Sequence, residues 1–370
     1  MVEGIKGEFS ALFGQDPEVI SFAPGRVNII GEHTDYNGGL VLPAAIKYGT
    51  YVAASRAEDG RIEVYSENAG WEKWEAGSFE KRKGFGDYLR GILKFMDAPA
   101  EGMRIYIKSS LPVGSGLSSS AALEVSFALA IQKIFSLDIS GIEIVGACHM
   151  AESEFVGVKC GIMDQFVSFF AKKEHLILLN TQNLHHEYIP FLSSLTLAMV
   201  DTGIRRSLSS SRYNQRREEC KRALEGVRKI FPEVENLSRV NEEMLFSARD
   251  FMDETAFKRA MHVISENQRV SHLADFLRAG DLCMVEKIMK LAHHSLSEDF
   301  EVSLPEIDGM VEEISSLPFV YGARLTGAGF GGFIVALLLK GKEKELQDNI
   351  NRPVLFSGPW SGAEILYSVS

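Results

Sequence analysis

Residues 112–122, PVGSGLSSSAA, place glycines, serines and small side chains directly before a long apolar segment. Exposed backbone N–H groups, hydroxyls and the positive end of a helix dipole are the components of an anion site. Gly114 and Gly116 let a backbone approach a phosphate closely and turn without a Cβ clash. No lysine follows the last glycine, so this is not the common GxxxxGKS or GxxxxGKT loop. The structural alternative is a loop capped by Ser118, Ser119 or Ser120.

Two further clusters bear on that choice. FAPGRVNIIGEHTDYNGGLVLPAA, residues 22–45, carries Arg26, Glu32, His33 and Asp35 among apolar neighbours. Glu32, His33, Thr34 and Asp35 do not alternate with apolar partners, so a solvated turn accounts for them poorly. Several carboxylates beside an imidazole suit a polyhydroxylated ligand, because each sugar hydroxyl can donate to a carboxylate. AESEFVGVKCGIMDQF, residues 151–166, sets Glu152 and Asp164 in apolar surroundings. Buried carboxylates need a cation, a metal or several donors. Glu152 with a serine hydroxyl suits Mg²⁺, which takes few protein ligands and keeps phosphates and waters. Asp164 with Arg26 suits a catalytic pair. A buried salt bridge or a helix cap is the alternative for each.

The elements that position these residues are legible in outline. Residues 18–56 read as a hairpin with Asn37-Gly38-Gly39 at its turn. Residues 61–66, 103–109, 175–180 and 195–201 read as strands, and 120–135, apolar almost all round, as a buried helix. Residues 142–155 and 162–171 suggest two more helices. From Ser209 the texture changes to amphipathic helices; Cys220, Ala223, Leu224, Val227 and Ile230 keep helical spacing. Gly327, Gly329 and Gly332 match GxGxxG, but FIVALLL follows and reads as a strand, where a dinucleotide fold needs a helix. NAD binding is therefore rejected, and the glycine loop is expected to support the phosphate site.

A chain of 370 residues fits two domains, and a net charge of −11 argues against a nucleic-acid surface. Cys148, Cys160, Cys220 and Cys283 are dispersed without a CxxC pair, the usage of a reducing cytoplasm. No signal-peptide core or membrane-length apolar run is present, so a cytoplasmic location is expected, without a membrane partner. The pairs His185-His186 and His293-His294 lack ligand spacing for a metal.

These segments together resemble the GHMP family of small-molecule kinases, in its galactose-phosphorylating branch. The resemblance rests on GRVNIIGEHTDYNGG (25–39), PVGSGLSSSAA (112–122), CGIMDQF (160–166), GIRRSLSSSRYNQRREEC (203–220), HHSLSEDFEVSLPEID (293–308) and LTGAGFGG (325–332), in order over most of the chain. It implies an α+β, two-domain fold: a mixed-sheet domain over residues 1–190, a helix-rich domain over 191–370, and an active site between them. It implies transfer of the γ-phosphoryl group of ATP to the anomeric hydroxyl of α-D-galactose, probed against N-acetylgalactosamine or arabinose kinases and a galactose-sensing regulator as alternatives. Carried over by motif, Arg26 and Asp164 are the catalytic pair. Glu32, His33, Asp35, Gly161, Asp164 and Tyr213 line the sugar pocket. Gly114, Ser115, Gly116, Leu117, Ser118, Ser119 and Ser120 wrap the phosphates, and Ser120 (or Ser119) with Glu152 holds Mg²⁺. Ser66, Phe85 and Tyr88 border the nucleotide; Phe85 stands where the family often has Trp. Trp71 and Trp74 are read as core or surface anchors, and the chain is expected to act as a monomer.

Overall fold

In the computed structural model, all residues are described except 113–115, 206–208 and 370, together with the side chains of 209–211. The chain forms two compact units: Met1–Arg26, Ala45–Ala171 and Ser361–Ser370 make the first, Val27–Ala44 and Lys172–Trp360 the second. The backbone therefore passes between units after residues 26, 44, 171 and 360.

The first unit is built on a six-stranded sheet in the order Glu364–Ser368, Val19–Asn28, Pro43–Ala57, Gly102–Ser109, Arg61–Ser66 and Gly70–Glu75. Arg61–Ser66 runs parallel to Gly102–Ser109, with Ile62 opposite Met103. The two faces follow from period-2 alternation. Val52 and Ala54 face a core shared with Leu89, Ile92, Val125, Ile131, Ile144 and Ala147. These come from helices Gly86–Phe95, Ser119–Phe135 and Gly141–Met150. Ala53 and Tyr106 face the other way, onto Ile5 and Phe9 of helix Val2–Phe13. Trp74 is buried in the first of these cores, whereas Trp71 is exposed and meets Phe13 edge-on.

The expected hairpin over 18–56 is not a tight one. Strands Val19–Asn28 and Pro43–Ala57 are sheet neighbours, but their connection carries the 3₁₀ turn Asp35–Asn37 and the short strand Leu40–Val41. Leu40–Val41 pairs with His175–Asn180 in a second sheet. The cause is local. Gly38, at φ 71°, ends the 3₁₀ turn, and the Thr34 hydroxyl donates to Gly31 O and Leu40 O, drawing the segment into a loop.

The second unit holds a four-stranded antiparallel sheet, in the order Val320–Thr326, Phe333–Leu339, Leu195–Asp201, Val354–Ser357. Phe333–Leu339 is buried along nearly its whole length, which explains its unbroken apolar sequence. Helices Ser209–Val227, Glu254–Ala279, Leu282–Glu298 and Pro305–Ser315 contribute to its core. Asp253 caps Glu254–Ala279 by accepting the Ala256 N–H at 2.7 Å, and Gly280 closes it at φ 70°. Residues 327–332 join two antiparallel strands, Thr326 facing Phe333, and no helix begins there. The GxGxxG match is thus a strand-to-strand turn. Gly329 and Gly331 have positive φ, and a Cβ on them would meet Val302 Cβ at 2.6 Å and Ile204 O at 2.4 Å.

Candidate functional site

In the first unit, strand Val19–Asn28 delivers Gly25 and Arg26 against residues 116–118. A Cβ at Gly25 would lie 2.5 Å from Leu117 O, and the Arg26 N–H donates to that same oxygen at 3.2 Å. The Arg26 guanidinium spans the site. Its Nη1 donates to Gly116 O at 2.8 Å, while Nε and Nη2 donate to Asp164 Oδ1 and Oδ2, each at 2.7 Å. This is the bidentate fork that only arginine makes. Asp164 lies in the first turn of helix Met163–Phe170, with Gly161 just before that helix.

Ser118 does not cap the helix it precedes. Its backbone is left-handed (φ 60°, ψ 47°), and its hydroxyl makes no capping bond. It donates to Asp164 Oδ2 at 2.5 Å instead. The cap that the alternative reading allowed at Ser118 is absent, and its hydroxyl is a third donor on the Asp164 carboxylate. Ser119 and Ser120 open helix Ser119–Phe135; Gly114 and Ser115 lie outside the described residues.

Glu152 sits in the π-helical stretch Ala151–Val156 that continues helix Gly141–Met150. Such stretches are frequent at functional sites. Its carboxyl is buried and raised above the usual range, first by desolvation and then by the charge of Asp164. Neutral donors oppose this: the Ser120 hydroxyl, Cys160 Sγ at 3.4 Å and Gln165 Nε2 at 2.7 Å. Ser120 and Glu152, paired from sequence, lie close enough for the serine hydroxyl to oppose the rise of the Glu152 carboxyl. A buried anion with neutral partners suits a hard divalent cation, and the oxygen donors fit Mg²⁺. Among the described residues no group of three or more His, Cys, Asp or Glu could hold a metal by itself.

Of the residues expected to border the nucleotide, Ser66 ends strand Arg61–Ser66 and is buried. Phe85 precedes helix Gly86–Phe95, and Tyr88 lies in its first turn; both pack on the first unit's core. Burial and the charges of Glu152 and Glu124 push the Tyr88 hydroxyl well above its ordinary value.

In the second unit the loop after Val27 carries Glu32, His33 and Asp35. Glu32 is buried, and its Oε1 accepts from Thr326 Oγ1 at 2.9 Å and the Gly327 N–H at 3.2 Å. Its Oε2 pairs with the fully buried Arg324. Arg324 also donates to Ile29 O at 2.9 Å and lies 3.5 Å from Glu266, which accepts the Gly31 N–H at 3.0 Å. The first turn after the strand is thus clamped by two long-range charged partners. The Glu32 carboxyl is raised by burial, with Arg324 opposing. His33, at φ 63°, contacts the Tyr36 hydroxyl through Nδ1 at 2.9 Å. Its ring centroid is 5.5 Å from that of Tyr213 and 4.5 Å from that of Phe300. Asp35 is half-buried at the start of the 3₁₀ turn. Glu32, His33, Asp35 and Tyr213 therefore belong to one neighbourhood of this unit.

Sequence reasoning missed Arg324, Glu266, Glu124 and Gln165. Glu124 and Glu266 had a visible signal, a carboxylate inside a helix on whose buried side apolar residues dominate. Arg324 had one too, a cation in the strand VYGARLT, otherwise buried nearly throughout. Of the paired histidines, His293 Nε2 faces Asp308 Oδ1 at 3.0 Å, and His186 lies at the head of strand His186–Pro190.

Comparison with known proteins gives a consistent result. The galactokinase galactose-binding signature matches residues 7–56. The N-terminal and C-terminal GHMP kinase domains match residues 87–172 and 273–354. A Roseiflexus sp. (strain RS-1) galactokinase is 40% identical over 339 residues, covering 90% of this chain and 87% of that protein. A Streptococcus suis (strain 05ZYH33) galactokinase is 35% identical over 362 residues, covering 95% of this chain and 92% of that one. The structure of Lactococcus lactis galactokinase complexed with galactose superposes with a TM-score of 0.93 at 32% identity, covering 98% of this chain and 99% of that one. A mevalonate kinase, 18% identical with a TM-score of 0.66 over 94% of this chain and 99% of its own, shares the fold.

Proposed function

The chain belongs to the galactokinase family of GHMP kinases, and we propose how its own residues carry out ATP-dependent phosphorylation of galactose. The observation that carries the assignment is the occupancy of Asp164. A carboxylate offers about four acceptor sites. Arg26 fills two and Ser118 a third. One remains for a single substrate O–H, and we assign it the anomeric hydroxyl of α-D-galactose.

Phosphoryl transfer passes through a loose transition state in which positioning and charge stabilisation dominate. Asp164 orients the attacking hydroxyl and is the acceptor for its proton. Arg26 keeps Asp164 in register, and its guanidinium carries the positive charge opposite the transferring group. Its third bond, to Gly116 O, ties that charge to the phosphate-loop backbone. We assign the phosphates to Gly114–Ser120, the base and ribose to Ser66, Phe85 and Tyr88, and the sugar hydroxyls to Glu32, His33, Asp35, Gly161, Asp164 and Tyr213. Glu32, with both oxygens held by Thr326, Gly327 and Arg324, acts mainly by fixing the loop that presents His33 and Asp35. Ser120 and Glu152 would hold Mg²⁺, which when bound with ATP neutralises charge on the phosphates.

The matched N-terminal and C-terminal family domains fall on either side of residues 190 and 191, which supports reading the chain as two sequence halves there. No helix among the described residues is long and apolar enough to cross a membrane, and the cysteines are free. These facts support a cytoplasmic assignment; we assign a monomer, which sedimentation equilibrium tests. The test of function is incubation with Mg·ATP and hexoses differing at C2 and C4. Use of galactose over glucose ties the acidic loop to the axial 4-hydroxyl; equal use would break that link.

A further inference from the structure

We propose that Gln165 is a positioning residue for the divalent cation: its amide N–H fork, anchored on Glu124, fixes the Glu152 carboxylate that binds the ion. The inference rests on the assignment of Ser120 and Glu152 to the cation. The Gln165 Nε2 donates to Glu152 Oε2 at 2.7 Å and to Glu124 Oε2 at 2.9 Å. Gln165 and Glu124 are fully buried and Glu152 is 6% exposed. The N–H end of the amide, not its carbonyl, faces the two carboxyls.

The anchor has a further consequence. Glu124 lies four residues after Ser120 in helix Ser119–Phe135, so the two share a helix face. Gln165 follows Asp164 in helix Met163–Phe170. One amide therefore registers Glu152 against the helix that supplies Ser120 and against the helix that supplies Asp164. A cluster serving stability alone would be built differently. Glu124 Oε1 and Gln165 Oε1 are buried with no hydrogen-bond partner among the described residues, and unsatisfied buried polar atoms cost stability. Apolar residues of similar volume would remove that cost. Buried carboxylates kept against this cost mark a site tuned for a ligand. Groups that orient a metal ligand by hydrogen bonding typically carry about 10–100-fold in metal affinity.

The experiment is a Mn²⁺ titration followed by electron paramagnetic resonance, with ADP present, on the full chain and its Gln165→Met, Gln165→Asn and Glu152→Gln variants. Met matches the volume of Gln without the N–H fork; Asn keeps an amide one methylene short. Both are expected to weaken Mn²⁺ by about 10–100-fold. Galactose affinity, read by calorimetry, should stay near wild type, and lost turnover should be recovered by excess Mg²⁺. If either Gln165 variant folds and binds Mn²⁺ as wild type does while Glu152→Gln loses the ion, the positioning role is overturned and the cation assignment stands. If Glu152→Gln also binds Mn²⁺ normally, the cation assignment itself falls. Failure of both Gln165 variants to fold would assign the amide to stability and likewise overturn the proposal.

Discussion

Replacing Arg26 by Ala removes two bonds to Asp164, each 2.7 Å, and the 2.8 Å bond to Gly116 O in one step. Asp164 is then held by Ser118 alone, at 2.5 Å, and can rotate away from the hydroxyl it orients. Loss of one preorganised electrostatic group typically lowers kcat about 10²–10³-fold, or about 2.7–4 kcal/mol. Stability should fall less. Breaking a wholly buried ion pair costs about 3–5 kcal/mol. The Arg26 side chain is 8% exposed but Asp164 is 26% exposed. Water reaching the carboxylate should therefore limit the loss to about 1–3 kcal/mol. Arg26→Lys separates charge from geometry: it keeps a cation but cannot reproduce the fork, so kcat should lie between wild type and Arg26→Ala. The assay is coupled ADP release at saturating galactose and Mg·ATP, with thermal unfolding run alongside. A folded Arg26→Ala enzyme with kcat within about threefold of wild type would refute this reasoning.

Other expectations follow from single sites. Asp164→Asn presents an amide to two arginine N–H groups and should bind galactose while nearly losing turnover; calorimetry and initial rates check both halves. Arg324→Met leaves Glu32 buried without its cation, while Glu266 keeps Arg269 at 2.7 Å, and should destabilise the fold by about 3–5 kcal/mol, read by urea unfolding. His262 contacts Ser295 Oγ and Glu32 O, and burial lowers its pKa from 6.5 to about 4. Between these values the unfolded chain binds the extra proton, so stability is full above pH 6.5 and declines as pH falls towards 4. Thermal midpoints measured across that range should show the decline, and His262→Gln should make it shallower, leaving the part due to His293, which burial also lowers to about 4; an unchanged slope counts against a neutral buried imidazole at 262.

Where local sequence and tertiary context agreed, the fold was legible. Residues 61–66 and 195–201 form strands at the expected bounds, because alternation or continuous apolarity fits a half-buried or doubly covered strand. FIVALLL forms the strand that excludes a dinucleotide fold. The 18–56 segment was legible only in part. Asn37-Gly38-Gly39 signals a turn, but Thr34, Asn267 and the edge of His175–Asn180 turn the expected tight hairpin into a cradle. Residue types singled out Arg26, Asp164, Ser120 and Glu152 as candidates, and the structure sets Arg26 against Asp164. The buried partners were hidden by distance along the chain: Arg324, which holds the Glu32 loop, lies 295 residues from Ile29, and Gln165, which holds Glu152, lies 41 from Glu124. Ser118 was hidden for another reason. A serine before a helix normally reads as a cap, and only its left-handed backbone sends the hydroxyl to Asp164.

Phosphorus NMR of the purified protein with galactose and Mg·ATP addresses the central claim most directly. The account predicts that ATP is replaced by ADP and a sugar phosphate ester coupled to the anomeric proton, in equal amounts, and that Asp164→Asn leaves ATP intact over the same period. An ester at another carbon, or inorganic phosphate in place of an ester, would contradict it.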